Sequence, residues 1–131
     1  MAGRRPERLQ SFAYVGCERY FLTMCCEQRR ARFTDDRVAD AVRTQLLRTS
    51  ELREFAVLAY VLMPDHLHAL IEGRTDRADL RRWAISFRKW ATLAVQRFGV
   101  TPLWQEGYHE RVLRPTDDPH FVARYILENP V

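Results

Sequence analysis

The side chains best suited to chemistry fall in two clusters. His66 and His68 flank Leu67 in the stretch Tyr60-Val61-Leu62-Met63-Pro64-Asp65-His66-Leu67-His68-Ala69-Leu70-Ile71. If this is a strand, alternate side chains share a face, so both imidazoles project the same way and come within reach of one ion. The plainer alternative is two hydrogen-bonded histidines on a half-wet strand. Asp65 and Glu72 flank that strand, and either can orient an imidazole as a carboxylate behind the ligand. Asp65 serves the turn equally well. Near the end of the chain, Tyr125 and Asn129 are four residues apart and stack on one face of a helix. Alone, Tyr125 would suit the edge of a core, and Asn129 would suit a helix end before Pro130. His109 and His120 have no partner at a useful spacing and stay outside the metal site.

The elements that must position these residues can be read in order. Arg19 to Cys26 is short, aromatic and apolar, and reads as a first strand. Thr34-Asp35-Asp36 supplies N-cap candidates for a helix to about Ser50, with Val38, Ala41, Val42 and Leu46 at helical spacing. Phe55 to Met63 is nearly continuous in apolar residues, which predicts a strand central in its sheet. Pro64-Asp65 fits the middle of a type I turn, and His66 to Glu72 is the third strand. A longer helix follows from Leu80 to Phe98, closed by Gly99 at the position a C-terminal glycine takes. Thr101 to Gly107 is a loop carrying Trp104, and Tyr108 to Arg114 is a fourth strand. Asp118 caps a last helix from Pro119 to about Asn129. Strand, helix, strand, strand, helix, strand is the ferredoxin-like βαββαβ order, an α+β sandwich, here with an appended C-terminal helix carrying the tyrosine.

At 131 residues, the expectation is a single domain over 1–131, with residues 1–13 as a flexible basic arm. No apolar run approaches the ~18 residues that span a bilayer, and no signal peptide is evident. Three cysteines, two of them the neighbours Cys25 and Cys26, make a poor disulfide framework and point to a reducing, cytoplasmic setting. The net charge of +4 favours a polyanionic partner. Apart from Lys89 every basic side chain is arginine, which suits bidentate phosphate contacts; a GC-rich genome would give the same bias. The five glycines are scattered and form no phosphate-cradling loop.

Met63-Pro64-Asp65-His66-Leu67-His68, Trp104-Gln105-Glu106-Gly107-Tyr108 and Tyr125-Ile126-Leu127-Glu128-Asn129-Pro130-Val131, in that order, resemble the single-tyrosine HUH transposases. Within them the resemblance is to the REP-associated tyrosine transposases, and it covers almost the whole chain after the basic arm. It implies a metal-dependent strand transferase for single-stranded or hairpin DNA that works through a 5′-phosphotyrosine. Tyr125 would be the nucleophile, and His66, His68 and Asn129 the ligands of Mg²⁺ or Mn²⁺. A homodimer is compatible with it, because related small transposases exchange the last helix between copies. The setting would be the bacterial nucleoid.

Elementary chemistry agrees with these roles. A phenol of pKa near 10 is ionised to about one part in a thousand at pH 7, a deficit of roughly 4 kcal/mol that the site must make up. A divalent ion on two imidazoles and an amide oxygen keeps positions open for phosphate oxygens. For DNA the candidates are Arg81, Arg82, Arg88 and Lys89 on the long helix, together with Arg111, Arg114 and the N-terminal arm. Trp104 would stack on an unpaired base, or would instead plug the core. Two competing readings stand beside this one. The same fold and basic surface can bind structured single strands without cleaving them. Alternatively, the histidine pair can serve metal sensing or hydrolysis on another ferredoxin-like protein.

Overall fold

The computed structural model of the protein describes residues 14–113. Expectations that fall on 1–13 and 114–131, including Arg114, Tyr125, Asn129 and the last helix, lie outside the described residues. Six main elements follow the expected order: β1 (Arg19–Cys25), α1 (Asp36–Leu52), β2 (Phe55–Met63), β3 (His66–Gly73), α2 (Leu80–Val95) and β4 (His109–Leu113). The sheet is ordered β2-β3-β1-β4, and every neighbouring pair is antiparallel. This is the strand order of the ferredoxin-like βαββαβ sandwich.

Local sequence explains the boundaries. Asp35 caps α1, its carboxylate accepting from the amide of Arg37, and Asp79 caps α2 by accepting from the amides of Arg81 and Arg82. α2 tightens into a 3₁₀ turn over Gln96–Phe98, and Gly99 ends it in the left-handed region at φ 79°. Gly73 closes β3 where its backbone passes against Gly16: a Cβ there would sit 2.0 Å from the Gly16 carbonyl oxygen.

The core lies between one sheet face and the two helices. Tyr20, Leu22 and Met24 of β1 and Leu67, Ala69 and Ile71 of β3 pack against Val42, Leu46, Trp83 and Phe87. Burying each large side chain here contributes about 2 kcal/mol. Trp83 also ties the helices together, its indole donating to Ser50 Oγ at 2.9 Å.

One expectation is corrected. β2 is an edge strand of this sheet, not a central one, and β3 and β1 occupy the middle. The apolar run of β2 has another cause. Val57, Tyr60 and Leu62 meet the helix-side core, while Ala59 and Val61 join Leu70, Leu113 and Phe21 in a second cluster on the opposite face. Alternation along the strand serves both faces, and a register shift between Val57 and Ala59 keeps Val57 on the helix side with Tyr60 and Leu62.

Candidate active site

Antiparallel register decides what meets the histidines. On β3, residues 67, 69 and 71 point to the helices, so His66, His68 and Leu70 point to the second face. Directly opposite on β1, Cys25 pairs with His66, Thr23 with His68 and Phe21 with Leu70. The two imidazoles are only 5% and 4% exposed, so their polar atoms need partners within the protein. The rings are neighbours, with centroids 4.7 Å apart and planes at 76°. Phe21 packs on His68 at 5.4 Å.

Each Nδ1 is engaged. His68 Nδ1 lies 2.9 Å from Thr23 Oγ1, and His66 Nδ1 lies 2.7 Å from Asp65 Oδ1. A carboxylate only accepts, so His66 carries its proton on Nδ1, and in the neutral ring Nε2 is the lone-pair atom. Asp65 is held from its other side by Arg29, whose Nε donates to Oδ2 at 2.9 Å. The hydrogen bonds from His66 and then Arg29 hold the Asp65 carboxyl below the usual carboxylate range. Of the two carboxylates considered behind the imidazoles, Asp65 takes the role, while Glu72 pairs with Arg19 at 2.9 Å. Imidazoles oriented through Nδ1 by a carboxylate and a hydroxyl are the arrangement that metal-ligating histidines use. Among the described residues, however, no group of three or more His, Cys, Asp or Glu could hold an ion.

Thr23 and Arg29 escape a reading of the sequence because their roles depend on strand register and a loop path. His109 stands on the same face: it is opposite Thr23 across the β1–β4 pair, two strands from His68 and therefore about 10 Å away. Cys25 shares the face too, and burial pushes its thiol up, keeping it protonated near neutral pH.

The proposed DNA contacts divide. Arg111 is exposed on β4 and opposite Phe21, hence on the histidine face. Arg81, Arg82 and Lys89 are exposed on α2, across the sheet from the histidines, so the long helix does not bring its basic residues to this site. Arg88 is drawn inward. Its guanidinium donates to the carbonyls of Gly107 at 2.8 Å and Gln105 at 2.7 Å and lies over the rings of Trp104 and Tyr108. Trp104 is buried against Phe33 and Phe87 and plugs the core, so its ring is not offered to a base. An apolar ring beside a core opening gains more by filling it than by waiting in water.

A family model described as Transposase IS200 like matches residues 17–129. The chain belongs to this family. This IS200-like transposase is 28% identical over 121 residues to the REP-associated tyrosine transposase of Escherichia coli K12, covering 90% of this chain and 69% of that protein. It is 22% identical over 168 residues to an uncharacterized protein of Haemophilus influenzae Rd, covering 98% and 88% of the two chains. Its fold matches the structure of a REP-associated tyrosine transposase bound to a REP hairpin, with a TM-score of 0.77 and 22% identity over 95% of this chain and 73% of the other. A candidate transposase from Deinococcus radiodurans R1 matches with a TM-score of 0.63 and 19% identity, over 95% and 97% of the chains. At those identities the likeness to the solved structures is one of fold.

Proposed function

We propose that this transposase-family protein cleaves and rejoins single-stranded or hairpin DNA through Tyr125, with Mg²⁺ or Mn²⁺ held by His66, His68 and Asn129. The observation that carries the reading is the pair of buried, adjacent imidazoles, each engaged at Nδ1 by a neighbour. That donor set fits a divalent ion bound through the two Nε2 atoms. The family resemblance adds the amide oxygen of Asn129 as the third ligand.

When bound, the ion supplies positive charge against the phosphate oxygens and the departing 3′-oxygen. The remaining chemistry belongs to Tyr125 and the DNA. The phenol gives up its proton and Oη attacks phosphorus. The P–O3′ bond breaks, the 3′-oxygen takes a proton, and the 5′-phosphate stays on Tyr125. In rejoining, a 3′-hydroxyl attacks that phosphorus, loses its proton, and returns the phenol. The phosphotyrosine conserves the phosphodiester bond energy, so no nucleotide cofactor is required. Arg111, exposed on the histidine face, would meet a backbone phosphate of the bound strand. The REP hairpin carried by the structural neighbour supports hairpins as the substrate class.

The test mixes the protein and Mn²⁺ with hairpin oligonucleotides labelled at either end and resolves them on a denaturing gel. A slow, protease-sensitive band that disappears with EDTA and in Tyr125→Phe is expected. A band that survives in Tyr125→Phe overturns the assignment of the nucleophile. Tight binding with no band under any condition replaces the reading with that of a binding module.

A further inference from the structure

The connection between β1 and α1 carries three arginines, Arg29, Arg30 and Arg32, against two acidic residues, Glu27 and the helix cap Asp35. It is pinned beside the histidines. The Cys26 amide donates to the Asp65 carbonyl at 2.9 Å, and the Phe33 amide donates to the Pro64 carbonyl at 3.0 Å. Within it, Gln28 and Arg29 are consecutive non-glycine residues in the left-handed region, both at φ 55°. This backbone region is unfavourable for residues with a Cβ, and such strain gathers where a side chain must be aimed. The loop is held in this shape by the Arg29 and Arg30 amides, which donate to the carbonyls of Cys26 and Glu27 at 2.9 and 3.1 Å.

The shape aims two guanidinium groups. Arg29 commits Nε to Asp65, and its side chain is 54% exposed. Among the described residues its Nη groups have no acceptor, although a guanidinium presents five N–H donors in a fork suited to a phosphate. Arg30 is exposed, and its Nη2 donates to Gln28 Oε1 at 3.0 Å, which steadies its guanidinium on the same short loop as Arg29. Asp65 ties this pair to the site, one oxygen on Arg29 and the other on His66.

We infer that the strained Gln28–Arg30 loop is a DNA-phosphate site, at which Arg29 and Arg30 grip the backbone of the strand being cut. Arg29 sits behind His66, on its Nδ1 side, so the phosphate it grips neighbours the one cleaved. This rests on the DNA reading above and adds to it a surface separate from the histidines and from Arg111.

The test measures binding by the full chain, without divalent ion, to a hairpin oligonucleotide in which phosphates are replaced one at a time by neutral methylphosphonates. Arg29→Gln combined with Arg30→Ala should weaken binding roughly tenfold near 0.1 M salt. For two contacts on a single strand it should also flatten the slope of log affinity against log salt by about 1.4. The one or two methylphosphonates beside the cleavage position that weaken the parent protein should no longer weaken the variant. Arg30→Ala alone, whose side chain bonds only Gln28 among the described residues, should show half of that change in slope and guards against misfolding of the double variant. Arg81→Ala with Arg82→Ala, across the sheet, should leave the methylphosphonate pattern unchanged. Equal affinity, slope and pattern in the loop variants and the parent overturn the inference while leaving DNA binding intact. No DNA binding by the parent overturns both. Arginine-dependent binding without any covalent adduct sustains the phosphate site and overturns its placement beside a cleaved phosphate.

Discussion

At the scale of single residues, the histidine pair is set by what stands behind it. The spacing of His66 and His68 is legible from the sequence, because alternation along a strand is a property of the backbone. Thr23 and Arg29 are not legible, because their roles need the β1–β3 register and the path of a loop. Asp65 was ambiguous between turn and site, and its carboxylate lies at 2.7 Å from His66. Replacing that carboxylate by an amide removes an obligate acceptor and relaxes the proton preference of the ring. Asp65→Asn should therefore weaken Mn²⁺ or Co²⁺ binding by about 10–100-fold, the usual effect of losing such a partner. Titration against a competing chelator reads this without any DNA present. Unchanged affinity would mean that Asp65 serves only the turn.

At the scale of elements, the Asp35 cap of α1, the tight turn and the alternating strands were readable, since each depends on a few adjacent residues. The place of β2 was not. A continuous apolar run signals two covered faces, and covered faces do not distinguish a middle strand from an edge beside a second apolar cluster. Another element-level feature that was not anticipated is Glu54, which joins α1 to β2 in the left-handed region at φ 67°. Its carboxylate accepts from Thr75 Oγ1 at 2.7 Å and from Arg77 Nη2 at 3.2 Å, fastening this connection to the one before α2. The bond from Thr75, then that from Arg77, lower its pKa. A carboxyl lowered by folding stabilises the native state above its unfolded value of about 4.3 and loses that contribution as pH falls through the folded value. Melting temperature should consequently fall more steeply with acid below about pH 4.3 in the parent than in Glu54→Gln. Parallel curves would show that the linkage carries no stability.

At the scale of the whole molecule, the sheet separates the packed core from the candidate site. One face holds the helices and the core, and the other holds the histidines with Arg111. The basic residues of α2 looked like one phosphate-facing strip, yet Arg88 belongs to the architecture and the others lie across the sheet from the site. Periodicity marks which side of a helix is polar, but not which side of a sheet the helix covers. Arg88→Lys should lower stability by about 2–3 kcal/mol, since one ammonium cannot reproduce a forked donation to two carbonyls, and chemical denaturation would measure it. DNA affinity should hardly move; a large loss of affinity with unchanged stability would return Arg88 to the DNA surface. The strand order has a consequence in time. β1 leaves the ribosome early, but one of its two neighbours, β4, begins 84 residues after β1 ends. At ~5–20 residues per second that is a wait of about 4–17 s. In the later part of it, once β3 has emerged, Thr23 can already meet His68, while the outer edge of β1 stays open to any other extended chain nearby. A nascent protein of this fold is thus exposed to strand theft by its neighbours on the same message until residue 113 has emerged.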